Sequence, residues 1–97
     1  MLEKLLKALE NIGYKVMGYD MNISAIANTG MLYINNIAID GFIIDGNICV
    51  FVDHNFIPIK SININAIKDI IVDCKTITLI GADKDITFTY CNKFRER

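Results

Sequence analysis

The sequence predicts an α+β domain, in which one N-terminal amphipathic helix packs on an antiparallel, mostly meander β-sheet of about 5–6 strands. Apolar residues recur at helical spacing over residues 1–12. Beyond Gly13 the apolar spacing changes to two, and β-branched and aromatic residues, which strands favour, dominate. The sheet is expected to be antiparallel, because the sequence shows no second helical segment of the length that connects parallel strands.

Length and composition limit the class of protein. The chain has 97 residues, of which 53% are hydrophobic and 22% are charged, and its net charge is -1. We expect a single domain over 1–97, because this length is typical of one domain and the composition is the opposite of a disordered chain. No apolar run approaches the ~20 residues of a membrane-spanning helix, and no secretory segment is apparent. No membrane association is therefore expected, and a cytoplasmic location is predicted, either in the producing cell or in an infected host.

The helix is predicted over residues 1–12 and is expected to end at Gly13. Its apolar side chains form one stripe, and its charged side chains occupy the opposite face. The stripe consists of Leu2, Leu5, Leu6, Leu9 and Ile12. Gly13 stands where a left-handed C-terminal cap favours glycine.

The first strands are predicted at 14–20 and at 31–39, with an interruption at Asn35-Asn36, whereas 22–29 is left open between strand and irregular structure. The segment Asp45-Gly46-Asn47 predicts a hairpin with a two-residue type I′ turn. Residues 42–52 do not alternate between polar and apolar, so burial of both faces is expected. The helix would cover one face, and more sheet or another subunit would cover the other.

The second half of the chain predicts further strands and a tail. One strand begins near Pro58, and Ile67–Val72 is either a strand or a short helical turn leading into one. A second hairpin joins 76–80 to 86–90 and has one solvated and one buried face. The sheet region thus covers 14–91, and 92–97 is predicted to be a frayed basic tail.

No catalytic site is expected. Cys49 and His54, with Asp53 beside the histidine, are the one candidate nucleophile and base. Such a pair needs its thiol and imidazole within hydrogen-bond reach, and a strand followed by a loop does not provide this. His54 is therefore interpreted as a solvated loop residue, and Cys49 as a buried apolar one.

No metal or cofactor site is expected either. Asp83 and Asp85 could begin a calcium loop, but the glycine and the other ligands of that pattern are absent. The three cysteines have no C-x-x-C spacing for zinc, and their odd number argues against a disulfide framework. The glycines are dispersed, so a phosphate-binding loop is not predicted.

Two fragments resemble the signatures of Sm-like RNA-binding rings, which also begin with a helix. The fragments are Gly18-Tyr19-Asp20-Met21-Asn22 and Ile44-Asp45-Gly46-Asn47-Ile48. The resemblance implies an RNA-binding small β domain, although Asp45 stands where those proteins usually carry arginine and the aspartate-to-asparagine spacing is shorter. Residues 57–90 also resemble the strand meander of pleckstrin-homology-type or lipid-binding small β domains. RNA binding is the third hypothesis, because a near-neutral chain without a basic stripe favours no nucleic acid.

The leading hypothesis is a small, non-enzymatic interaction protein. Its apolar sheet residues outnumber those that one helix can cover, and an apolar surface of this kind favours association. A homo-oligomer is expected, with a dimer favoured, together with an unidentified protein partner. The excess of isoleucine and asparagine indicates an AT-rich genome, so the protein could be a phage or mobile-element regulator or inhibitor. The predicted interface consists of Phe42, Ile44, Ile48, Val50, Phe51 and Val52.

The alternative hypothesis is a binder of a small polar ligand or nucleotide in a pocket between subunits. It depends on the supply of hydroxyl and other polar side chains at strand ends and turns. The predicted ligand-binding residues are Thr76, Thr78, Thr87, Thr89, Asp53 and His54.

Overall fold

The computed structural model describes residues 1–19, 22–81 and 84–92, and these residues form one helix, ten strands and a short 3₁₀ turn. The α+β class is confirmed, but the predicted number of strands is too low. The elements are α1 (Leu2–Ile12), β1 (Tyr14–Tyr19), β2 (Asn22–Ala27), β3 (Gly30–Ile34), β4 (Ile37–Ile39), β5 (Gly41–Asp45), β6 (Ile48–Val52), β7 (Pro58–Asn63), the 3₁₀ turn Ile64–Ala66, β8 (Ile67–Val72), β9 (Thr76–Gly81) and β10 (Ile86–Asn92).

The strands form two antiparallel sheets of five strands instead of one meander. The first sheet has the order β1-β2-β5-β6-β7, and the second has the order β4-β3-β10-β9-β8. The chain therefore passes from the first sheet to the second after β2, returns after β4, and crosses again after β7. The frayed tail is predicted over 92–97; Asn92 instead belongs to β10, and 93–97 lie outside the described residues.

The structure refines the prediction at two turns. Asn35 and Asn36 have φ angles of 50° and 67°, so this pair is the two-residue turn that joins β3 to β4. In the β5–β6 hairpin the loop residues are Gly46 and Asn47, because Asp45 pairs with Ile48. Only Gly46 has a positive φ, 61°, which is typical of a type II′ turn and corrects the predicted type I′ turn.

The helix closes one side of the structure by packing against β1 and β8, which are edge strands of different sheets. Leu5, Leu9 and Ile12 of the predicted stripe are buried there. Gly13 adopts the left-handed conformation, with φ 111°, and its N–H donates to the carbonyl oxygens of Glu10 and Leu9. The carbonyl of Gly13 then accepts the N–H groups of Asn28 and Thr29 at 2.9 Å, which attaches the helix end to the β2–β3 connection.

The centre of the core is an aromatic cluster shared by the two sheets. Phe42 and Phe51 come from the first sheet and Phe88 from the second. The Phe51 ring lies 5.1 Å from both the Phe42 and the Phe88 ring, and the Phe42 and Phe88 rings are 6.0 Å apart, all edge to face. This arrangement adds a favourable ring–ring interaction to the burial of apolar area. The inner face of residues 42–52 is thus covered by the second sheet.

Tyr14 joins the sheets through its hydroxyl group. The hydroxyl donates to the carbonyl oxygen of Ile39 at 2.5 Å and accepts the N–H of Leu32 at 2.9 Å. Tyr14 lies in β1, whereas Leu32 and Ile39 lie in β3 and β4 of the other sheet. Burial raises the pKa of Tyr14 well above its usual value, so the hydroxyl keeps the proton that it donates.

Candidate interaction surface

The outer face of the first sheet carries apolar side chains that the core does not enclose. Ile43 lies between the buried Phe42 and Ile44, so strand alternation directs Ile43 away from the core. Its side chain is 37% exposed, and those of Ile48 and Met17 are 43% and 44% exposed. We call this set the outer apolar face. Its members are Met17, Ile26, Ile43, Ile48 and Val50.

The strand register places three members of the outer apolar face in one row across the sheet. Met17 is opposite Ser24, Ser24 is opposite Ile43, Ile43 is opposite Val50, and Val50 is opposite Ser61. These five residues form one row across all five strands, with Ile43 at its centre. Side chains that are directly opposite on neighbouring strands touch, so Ile43 and Val50 form one apolar contact, and Ser24 separates them from Met17.

Charge is sparse on this side of the first sheet. Within its described strands, the outward positions hold one cation, Lys15 on β1, and one anion, Asp45 on β5. Lys15 is opposite Ile26, and Asp45 is opposite Ile48, so both charges lie at the margin of the outer apolar face. An apolar centre with a polar and charged margin is the composition of protein–protein interfaces.

The structure separates the six predicted interface residues into two groups. Phe42, Ile44 and Phe51 belong to the core that the sheets share, and Val52 is also buried. A partner could not contact these four side chains without unfolding the domain, so they are corrected to core residues. Ile48 and Val50 point outward and reach the surface of the first sheet.

The predicted ligand-binding residues fall on two different sheets. Thr78 is opposite Thr87 and Thr76 is opposite Thr89 on β9 and β10, with 3.2 Å between the hydroxyl oxygens of Thr78 and Thr87. These threonines form the solvated face of the second sheet, as their alternation predicts. Asp53 and His54 lie in the β6–β7 connection of the first sheet, so the structure does not bring the predicted set together.

Asp53 has a structural role in that connection. Its carboxylate accepts the N–H groups of Ile57 at 3.0 Å and Asn55 at 2.8 Å. These hydrogen bonds, with the larger effect from Ile57, lower the pKa of Asp53. His54 is exposed, whereas Cys49 is fully buried, so the two are not arranged as a base and a nucleophile.

Cys49 is expected to be unreactive in the folded protein, because burial raises the pKa of its thiol to about 12 and the thiolate is the reactive form. At pH 8, iodoacetamide should modify the exposed Cys74 readily and Cys49 only after denaturation, as peptide mass spectrometry can measure. Modification of native Cys49 at the rate of Cys74 would contradict this assignment.

The raised pKa of Cys49 also predicts that the stability of the fold depends on pH. The unfolded chain loses the Cys49 proton near pH ~8.5, whereas the folded chain retains it to about pH 12, so the unfolding free energy falls as pH rises between these values. Above about pH 9.5 the contribution of Cys49 to this slope approaches about 1.4 kcal/mol per pH unit, and Cys49→Ala should lose that contribution. Equal slopes for the two proteins in urea titrations would contradict the prediction.

The remaining sequence candidates add no site within the described ranges. No three histidine, cysteine, aspartate or glutamate side chains there lie close enough together to hold a metal ion. Asp83 of the calcium hypothesis and Asp20 and Met21 of the Sm-like fragment lie outside the described residues. In the same ranges no helix has the length and hydropathy needed to cross a membrane.

Comparison of the chain with protein families, with curated proteins and with solved structures finds no match. Sequence reasoning missed Met17, Ile26 and Ile43 as members of the outer apolar face. Strand alternation around the β5–β6 hairpin is the signal that separates Ile43 from Phe42 and Ile44.

Proposed function

We propose that the protein is a non-enzymatic interaction module that self-associates, as a dimer, through the outer apolar face of its first sheet. The row centred on the exposed Ile43, which is apolar at three of its five positions, is the observation that carries this proposal. A self-associating module of this kind would act as a regulator or inhibitor by binding other proteins. The free thiols of Cys49 and Cys74 support a reducing compartment such as the cytoplasm.

The energetic argument is the removal of apolar area from water. Each square ångström of apolar surface buried contributes about 25 cal/mol, so several isoleucine, valine and methionine side chains together provide a useful driving force. Cyclic dimers present the same patch twice, and each residue must tolerate its symmetry partners. A patch with one lysine and one aspartate at its margin meets this condition, since it does not accumulate charge of one sign.

The test is the mass of the protein in solution, measured by light scattering at low micromolar concentration. The wild-type mass should be about twice 10.9 kDa, and Ile43→Lys should reduce it to that of the monomer. The lysine would leave an unpaired charge in the centre of the interface, which is costly to desolvate.

Ile71→Lys is the matched control, because Ile71 is 52% exposed but belongs to β8 of the second sheet. It should keep the dimeric mass. A strictly monomeric wild-type protein would refute the proposal. A dimer that persists in Ile43→Lys and dissociates in Ile71→Lys would place the interface elsewhere.

A further inference from the structure

A groove opens between β7 and the facing ends of β9 and β10. Its apolar part has a volume of about 240 Å³, and a more polar part beside it has about 380 Å³. Lys60, Lys84 and Ile86 line both parts, so the two parts form one continuous groove. The groove does not include any member of the outer apolar face.

The apolar part is formed by side chains of the core margin. Leu79 and Ile67 are buried, and Ile62 and Ile86 are half-buried, so the floor of the groove is apolar. Ala66 is exposed at its rim, in the 3₁₀ turn between the sheets. A mostly apolar concavity with a few polar groups at one end is typical of small-molecule sites.

Lys60 has an unusual position for a charged residue. It is opposite Phe51, whose ring lies in the core, so Lys60 continues an inward-facing row of the first sheet at its edge strand. Within the described ranges, neither Lys60 nor Lys84 has a carboxylate within salt-bridge distance. Asp85 is the one acid lining the groove there, and its carboxylate accepts the N–H of Gly81 at 3.4 Å.

We propose that this groove binds a small amphipathic organic anion. Its carboxylate or similar head group would lie between Lys60 and Lys84, and its apolar tail would lie on Ile62, Ile67 and Leu79. A volume of about 240 Å³ leaves room for a short alkyl tail. This site adjoins the row of the proposed interface at Ser61 but includes no member of the outer apolar face, and it differs from the threonine set that the sequence predicts.

The test titrates the full chain with sodium octanoate and measures the amide chemical shifts at each concentration. Saturable shifts are expected at Ser61, Ala66, Gly81 and Ile86, with a dissociation constant of about 1 mM. Octylammonium and octanol, which have the same tail without the negative head, should bind more weakly. Acetate, which has the head without the tail, should give no saturable shift.

Lys60→Met and Lys84→Met keep the aliphatic stem and remove the charge, so each should weaken octanoate binding about fivefold. Lys7→Met is the control, because Lys7 lies exposed on α1, and it should bind as the wild type does. Ala66→Leu should fill the rim and abolish saturable binding, while an otherwise unchanged amide spectrum shows that the fold is retained.

Three results would overturn the proposal. The first is the absence of saturable shifts at the groove amides. The second is equal binding of octylammonium, which would exclude recognition of an anion. The third is unchanged octanoate binding in both lysine variants, which would assign Lys60 to protection of an edge strand against pairing, a known role for inward-pointing charges.

Discussion

Phe51→Ala is expected to lower the free energy of unfolding by about 3–5 kcal/mol. The Phe51 ring is fully buried and contacts one aromatic ring on each sheet, Phe42 and Phe88, at 5.1 Å. Its removal therefore leaves a cavity at the centre of the interface between the sheets, where no flexible loop can fill the space. Domains of this size have a total stability of about 5–15 kcal/mol, so the loss is a large fraction of it.

Urea unfolding followed by circular dichroism measures this loss. Phe56→Ala is the matched control, because Phe56 is 65% exposed in the β6–β7 connection, and its unfolding free energy should change by less than about 0.5 kcal/mol. Similar losses in the two variants would contradict the placement of Phe51 at the centre of the core.

Tyr14→Phe is expected to lower the unfolding free energy by about 2–4 kcal/mol, although only one oxygen atom is removed. The Tyr14 hydroxyl is the partner of both the Leu32 N–H and the Ile39 carbonyl oxygen. Leu32 and Ile39 are fully buried, so water cannot replace the lost hydrogen bonds. The cost is that of leaving a buried donor and a buried acceptor unsatisfied, and it exceeds the value of an average hydrogen bond.

Tyr90→Phe is the control for Tyr14→Phe. Tyr90 is half-buried on β10, and its hydroxyl has no hydrogen-bond partner in the part of the chain that the structure describes. Its removal should change the unfolding free energy by less than about 0.5 kcal/mol in the same urea titration. Equal effects of the two substitutions would show that the Tyr14 hydroxyl does not join the sheets.

The helix could be predicted from the sequence in detail, because its signals are local. The stripe from Leu2 to Ile12 and the cap at Gly13 are set by residues within a few positions of each other. The division into two sheets could not be predicted in this way. It depends on which strands pair, and β2 pairs with β5 while β3 pairs with β10.

The strand at 22–27 illustrates the limit of local signals. Ser24, Ala25 and Ala27 have weak strand preference, which left this segment undecided, yet Ala25 is fully buried in the centre of β2. The strand conformation of this segment is set by pairing with β1 and β5, and contacts of this kind outweigh intrinsic propensity.

The surface residues were harder to predict than the core. The apolar run 42–52 predicted two covered faces, and its two faces differ in the structure. The inward side meets the second sheet, and the outward side keeps Ile43 and Ile48 exposed. Lys60 and Lys84 line the same groove because the crossing after β7 places the two sheets together, and no sequence spacing encodes that arrangement.

The most direct test of the proposed interface is an isotope-filtered nuclear Overhauser experiment on an equal mixture of labelled and unlabelled protein. It detects only contacts between copies of the chain. We expect such contacts at the methyl groups of Ile43, Ile48 and Val50, since these lie at the centre of the outer apolar face. Contacts between copies that involve only Ile71 and other residues of the second sheet, or no contacts at all at millimolar concentration, would contradict self-association through the first sheet.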